Sequence, residues 1–311
     1  MVPETAEAYY QTQSERNART LAAVNRLWGS MGSDFDASWV EIQPRLSGVV
    51  SATQDVNAVE AIGYIPDVLD ETGQGHAVDS VAHVNPRAFV GVNGDGRPVG
   101  EALYGAVIRT KATIATGATV AVALAAGGKW LQTATMTALS DSVRGAERVS
   151  MATRPVGGYV RMLVGHSCSR CVILAGRRYA SATPFQRHPK CDCRHIPATE
   201  SVAEDITVNP EEFFESLSAE QQNKTFTKAG AEAIRNGADI NQVVNARRGM
   251  YTTADGSSFT REGITRRGLY GSAQYRAGTF RRKRFTPEQI QKVATNKDHY
   301  LKLLRLYGYI F

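Results

Sequence analysis

The sequence predicts a mainly α, α+β protein: a helical N-terminal domain, a small metal-stapled β and loop element, and a basic helical C-terminal region. Three observations predict it. Apolar residues recur at helical spacing through most of the first 152 positions. All four cysteines, Cys168, Cys171, Cys191 and Cys193, fall within 26 residues, with His166, His188 and His195 among or beside them. The charge is lopsided: from Val244 onward 14 Lys and Arg face 4 Asp and Glu, a net +10, whereas the whole chain is +6, so the remainder carries −4. These features divide the chain into a helical domain over 1–158, a Cys/His element over 159–200, a helical segment over 201–246, and a basic arm with a C-terminal helix over 247–311.

The helical reading proceeds in order. Over residues 4–29, Leu21, Val24, Leu27 and Trp28 fall on one helix face, and the residues at 29–33 break it. Residues 36–65 read as one or two helices, with Trp39, Ile42, Leu46, Val49 and Val50 as a stripe and Pro44 as an interruption or kink. Asn85-Pro86 suits a helix start, and Asn93-Gly94-Asp95-Gly96 is a turn rather than a phosphate loop, because no Lys-Ser/Thr follows. Residues 101–126 and 130–152 read as two packed helices, and Pro155, Gly157 and Gly158 end the helical part. Tyr159-Val-Arg-Met-Leu-Val164 is β-prone and leads into the cysteines.

Beyond the cysteines, Asn209-Pro210-Glu211-Glu212 combines a cap, an N1 proline and two first-turn acids, with Phe213, Phe214 and Leu217 as the buried face. Ser218 with Gln221 forms a capping box for a helix expected to stop near Gly237, and residues 239–246 add a short one. Residues 247–284, rich in Arg, Gly, Thr, Ser and Tyr, read as an extended arm or irregular lobe. Thr286-Pro287-Glu288-Gln289 opens a last helix, and residues 301–311 close the chain with an apolar face.

Composition bounds the class. An apolar fraction of 42% and a charged fraction of 21% over 311 residues are those of a soluble globular protein. No start resembles a signal peptide, and the most apolar stretch, 114–126, is too short for a bilayer, which needs about 20 apolar residues. The mature protein is therefore expected in a cytoplasm or in something assembled there, where cysteines read as metal ligands or reactive thiols before disulfides.

The Cys/His spacing is C-x2-C-x16-H-x2-C-x-C-x-H. Two thiolates two residues apart can reach one ion, and Zn2+ takes four such ligands in a tetrahedron. Cys168 and Cys171 supply one half; His188, Cys191, Cys193 and His195 offer more donors than the other half requires, and His188 with Cys191 or Cys193 is the preferred choice because Pro189 stiffens that turn. The expected role is structural. Thiolate and disulfide chemistry without metal, and a catalytic metal, are the alternatives, the last disfavoured because catalytic zinc prefers His and carboxylate ligands with an open position.

On these residues a resemblance becomes visible. Cys168-x2-Cys171-x2-Leu174-x-Gly176, a spacer, then His188-Pro189-x-Cys191-x-Cys193 resembles the C-terminal signature of phage Mu F-like minor capsid, or head morphogenesis, proteins. That signature covers about 30 residues and follows an α-rich N-terminal part in the family, as it does here. The segments 247–250 (Arg-Arg-Gly-Met) and 260–268 (Thr-Arg-Glu-Gly-Ile-Thr-Arg-Arg-Gly) are similar to minor capsid proteins of phages of actinobacteria, some of which are labelled capsid maturation proteases. The resemblance implies a low-copy virion protein inside the capsid, assembled in the host cytoplasm. Its partners would be the portal and major capsid proteins, and it would act in head morphogenesis or in DNA packaging or ejection, by binding rather than catalysis. A capsid maturation protease is the competing class. His166-Ser167 with Asp192 invites a hydrolase reading, but no G-x-S-x-G elbow is present and the residues more simply flank the metal turn.

The basic tail carries two sharper clusters, Arg266-Arg267 and Arg281-Arg282-Lys283-Arg284, interleaved with Tyr251, Phe259, Tyr270, Tyr275 and Phe280. Arg beside aromatic side chains suits phosphate contact with some stacking, so packaged DNA, bound without sequence specificity, or an acidic capsid or portal face is the expected partner. No membrane partner is expected.

Overall fold

The structure is a computed structural model of the chain that describes residues 2–163, 167–181, 183, 194–279 and 283–311. Among the described residues it is mainly helical with two small antiparallel sheets. The chain forms two compact units, one of Met1–Met162 with Arg177–Thr207, the other of Leu163–Gly176 with Val208–Phe311.

The first unit is built on three long helices: α1 (Glu4–Trp28), α2 (Phe35–Glu71) and, after short helices α3 (Val99–Leu103) and α4 (Gly105–Ala115), α5 (Val120–Ala152). Their apolar faces meet in a core that includes Val24, Trp28, Trp39, Ile42, Leu46, Val50, Val107, Leu131 and Leu139. Burial of each large side chain contributes about 1.5–3 kcal/mol, so packing sets which residues are helical where propensity wavers. Trp28 lies against Gly127 and Gly128 of α5: a Cβ on Gly128 would fall 2.9 Å from the indole Nε1, which instead donates to the Leu124 carbonyl at 3.0 Å.

Two differences from the sequence reading have local causes. α2 runs unbroken through Pro44 and Pro66. An internal proline frees the carbonyl four residues earlier. Pro44 and Val40 are both exposed, so water can reach the Val40 carbonyl. The carbonyl freed by Pro66, that of Ile62, accepts from the Ser150 hydroxyl of α5 at 3.3 Å. Second, the expected helix over 101–126 is cut at Gly117, whose φ of +86° is a left-handed conformation suited to glycine. Thr119 then caps α5 by accepting from the Val122 amide at 3.4 Å, so Trp130 lies inside a helix and not at its start.

A three-stranded sheet completes this unit. β1 (Gly158–Met162) lies centrally between β2 (Arg178–Ala180) and β3 (Arg194–Pro197), both antiparallel to it, with Val160 opposite Ile196. Every residue of β1 is buried, including Arg161 at 1% exposure. β3 is tied to α2 by side chains: the Tyr64 hydroxyl donates to the His195 carbonyl at 2.9 Å, and just beyond α2 the Gln74 amide group donates to the Pro197 carbonyl at 3.1 Å while accepting from the Thr199 amide at 2.7 Å. α7 (Glu200–Ile206) follows.

The second unit is assembled from short pieces. α6 (Ser169–Ala175) holds Cys171 and has Cys168 as its N-cap, and α8 (Pro210–Ser216) and α9 (Ala219–Phe226) begin at the Asn209 cap and the Ser218/Gln221 capping box expected of them. The helix expected to continue to Gly237 is divided at Thr227, which has φ +67°, an unfavourable conformation for a β-branched residue; its hydroxyl caps α10 (Lys228–Arg235). α11 (Ile240–Arg248) is capped by Asp239. Next comes a small sheet in the order β4 (Met250–Thr252), β5 (Ser258–Thr260), β6 (Arg284–Phe285), with α12 (Leu269–Arg276) between its last two strands. α13 (Pro287–Val293) and α14 (Lys297–Leu306) end the chain. Of the extended arm and the irregular lobe expected, the chain forms a lobe, its core containing Val243, Ala246, Tyr270, Ile290, Leu304, Tyr307 and Tyr309. Among the described residues no helix is long and apolar enough to cross a membrane.

Candidate functional site

Cys168 is the N-cap of α6 and Cys171 lies in its first turn, an arrangement that turns both side chains toward one point. Their sulfurs are 3.5 Å apart. Two sulfurs bound to one tetrahedral zinc at about 2.3 Å stand about 3.7 Å apart, so this half of the expected ligand set has the right separation for the metal. Cys171 is 3% exposed and Cys168 half-buried. α6 is anchored within its unit: the Arg170 guanidinium donates to the Asn245 side chain of α11, and the Val208 amide to the Ala175 carbonyl at 3.4 Å. Gly176 lies where Pro210 and the Val208 carbonyl pass, 3.3 Å from where a Cβ would be, a close approach that favours glycine at this place in the motif. His188, Cys191 and Cys193 lie outside the described residues, as do His166, Pro189 and Asp192. Among the described residues no group of three or more His, Cys, Asp or Glu converges on a metal position.

His195, the spare donor of the cluster, is engaged elsewhere. Its ring, 2% exposed, meets Glu147 of α5 at 2.6 Å through Nδ1 and packs edge-on against Tyr159 with centroids 4.3 Å apart. Burial pulls the imidazole below its ordinary value, against the upward pull of the Glu147 carboxylate. Glu147 also accepts from Tyr9 at 3.1 Å, and Tyr9 stacks on Tyr64 with centroids 4.1 Å apart. Burial, then the neighbouring Glu147 carboxylate, push the Tyr9 and Tyr64 hydroxyls well above the usual phenol range. Arg194, fully buried, donates to Gln13 at 3.2 Å. This network is a polar core of the first unit. Glu147 escaped the sequence reading although it was detectable: it falls on the same helix face as Leu139, Val143 and Ser150, and an acid on an apolar stripe calls for a buried partner.

The basic candidates separate. Arg266, Arg267 and Lys283 are exposed, with the Arg266 guanidinium 4.5 Å from the Tyr275 ring centroid and the Lys283 ammonium 5.3 Å from that of Phe259. Arg261, not singled out by the sequence, lies 5.3 Å from the Tyr251 ring. Arg281 and Arg282 lie outside the described residues. Arg284 departs from its expected role as a partner contact. It is 1% exposed, with Tyr309 and Tyr270 ring centroids at 4.2 and 5.2 Å. Its guanidinium donates to the carbonyls of Tyr307 at 2.7 Å, Gly308 at 2.8 Å and Glu262 at 3.2 Å, and to the Gln242 side chain at 3.1 Å. It secures the C-terminal segment because a planar five-donor fork can serve several carbonyls at once.

Of the other motifs, residues 91–98 form the expected turn, with the Asn93 amide donating to the Arg97 carbonyl at 2.8 Å. Ser167, the nucleophile of the hydrolase reading, is 8% exposed. Compared with protein-family models, curated proteins and solved structures, the chain matches none, so its functional reading stands on the cysteine motif and the basic lobe.

Proposed function

We propose that the chain is a Mu F-like minor capsid protein that acts in head morphogenesis, or in DNA packaging or ejection near the portal, by binding. The observation that carries this reading is the Cys168–Cys171 pair within the C-x2-C-x2-L-x-G half of the motif, its sulfurs at a separation suited to one zinc ion. His188 with Cys191 or Cys193 would complete the ligand set, and a bound zinc would supply a structural cross-link and no reaction step. Cys168→Ser should abolish stoichiometric zinc in elemental analysis of the purified chain; a fully folded wild type containing no zinc would overturn the staple. Mass spectrometry of purified heads of the encoding phage should find the chain at low copy, and its absence would refute the virion assignment. Incubation with the major capsid protein should give no cleavage; cleavage lost in Ser167→Ala would establish the protease alternative instead.

The exposed cations of the second unit are its proposed partner surface, with packaged DNA as the polyanion. Tyr275 beneath Arg266 and Phe259 beneath Lys283 support this, since aromatic faces hold cations ready for phosphate, and the exposed Tyr275 offers stacking that tolerates any sequence. Replacing both Arg266 and Arg267 by Ala should weaken duplex binding equally for unrelated sequences and lower the salt dependence, log K against log salt, by roughly 1.8. An unchanged slope would remove these two residues from the interface.

A further inference from the structure

We propose that Cys168 and Cys171 form an oxidisable dithiol that a peroxide closes to a disulfide. The inference stands on the geometry of the pair and is independent of the capsid reading; only its consequence for zinc rests on that reading. The sulfurs are already 3.5 Å apart, against about 2.05 Å in a disulfide, so closure requires each to move less than about 1 Å. Cys168 is the N-cap, with extended backbone at φ −75° and ψ 161° and its carbonyl accepting from the Val172 amide at 3.1 Å, so only its side chain has to turn for the bridge to close.

The two thiols differ in access, and the difference assigns their order. Cys168 is half-buried and open to a small oxidant, whereas Cys171 is 3% exposed. The Cys168 thiolate attacks one peroxide oxygen. The S–O bond forms, the O–O bond breaks, and the departing hydroxide takes up the proton that the thiol released, leaving as water. Cys168 is then a sulfenic acid. The Cys171 sulfur attacks that of Cys168; the S–S bond forms, the S–O bond breaks, and the hydroxyl leaves with the Cys171 proton as a second water. Two thiols lose two electrons in total and one peroxide gains them. Burial of Cys171 keeps it from oxidising separately while leaving it within reach of its partner. A closed pair has no thiolate to offer, so closure and zinc binding exclude one another.

The test uses the full chain stripped of metal with a chelator, treated with hydrogen peroxide, alkylated and digested with trypsin. Arg170 lies between the two cysteines, so trypsin separates them and a bridge appears as two joined peptides. The expected main product joins Cys168 to Cys171 and is reversed by dithiothreitol, while Cys171→Ser traps Cys168 as a sulfenic acid reactive toward dimedone. Recovery of both cysteines alkylated, or joined mainly to Cys191 or Cys193, would overturn the proposal. If the variant does not fold by circular dichroism, the wild-type map decides. A zinc-loaded arm distinguishes the two ideas: a joined pair in a chain that never takes up zinc upholds the dithiol and removes the staple. Zinc uptake by a chain whose stripped form does not join the pair does the reverse.

Discussion

The two units bury cationic and titratable groups in different ways. In the first, His195 is held by Glu147, and Glu147 by Tyr9, all side chains from α1, α5 and β3. In the second, Arg284 is held by three backbone carbonyls, one amide side chain and two aromatic faces. The cause is the length of the elements. Helices of 25, 37 and 33 residues consume most of their own carbonyls, so Glu147 and His195 pair with each other, and a carbonyl is shared only in places, as Ile62 above Pro66 accepts from Ser150. Short helices and two- or three-residue strands leave carbonyls over, as at Tyr307 and Gly308 beyond α14, and an arginine can collect them. The buried histidine of the first unit is held by a paired side chain, and the buried arginine of the second satisfies its loops.

The largest expected effect breaks the second arrangement. Arg284→Met leaves the carbonyls of Tyr307, Gly308 and Glu262 without their donor and should destabilise the second unit by about 3–4 kcal/mol in urea titration. Arg284→Lys should recover less than half of that, since a point charge cannot serve the same acceptors; full recovery by Lys would show that charge alone matters. In the first unit, Glu147→Gln should cost about 2 kcal/mol, and a double-mutant cycle with His195→Gln should give a coupling of about 1–2 kcal/mol. A coupling near zero would mean that the two residues are neighbours and not partners.

A smaller effect isolates the proline device of α2. Ser150→Ala should cost about 1 kcal/mol in the wild type, and distinctly less in Pro66→Ala, where the new backbone N–H reaches the Ile62 carbonyl. Because Ser150 also accepts from Arg154 at 2.7 Å, only the difference between the two backgrounds reports on Pro66. The gentlest test is alkaline pH. Tyr9 and Tyr64 keep their protons in the fold well above 10, while the unfolded chain releases them from about 10. The unfolded state therefore binds fewer protons, and stability should fall as pH rises past 10. Phenolate absorbance from these two tyrosines should appear only with unfolding, which Tyr9→Phe and Tyr64→Phe would confirm by leaving the transition without that signal.

Much of the local structure was legible. Asn209-Pro210 and Ser218 with Gln221 start helices where their side chains meet orphan amides, and that chemistry is complete within four residues of sequence. Spacing likewise marked Cys168 and Cys171 as neighbours. Elements whose outcome depends on distant groups were not legible. The helix read over 36–65 stops short of Pro66 because Ser150, which serves the freed carbonyl, lies 84 positions away. Arg284 sits in a run of four cations and reads as surface; its acceptors come from residues 242, 262, 307 and 308. Residues 247–284 lack periodicity because their strands are two or three residues long, too short for alternation to show.

By itself the sequence determined the helical class, the caps, the concentration of charge in the last quarter of the chain and the cysteine spacing, because each depends on residues close together or on composition. Only the tertiary structure decided which polar residues are interior. It turned Arg284 inward, gave His195 to Glu147, and carried α2 through two prolines. The physical reason is shared: a buried donor or acceptor is tolerated only when a partner is present, and in this chain those partners come from other elements.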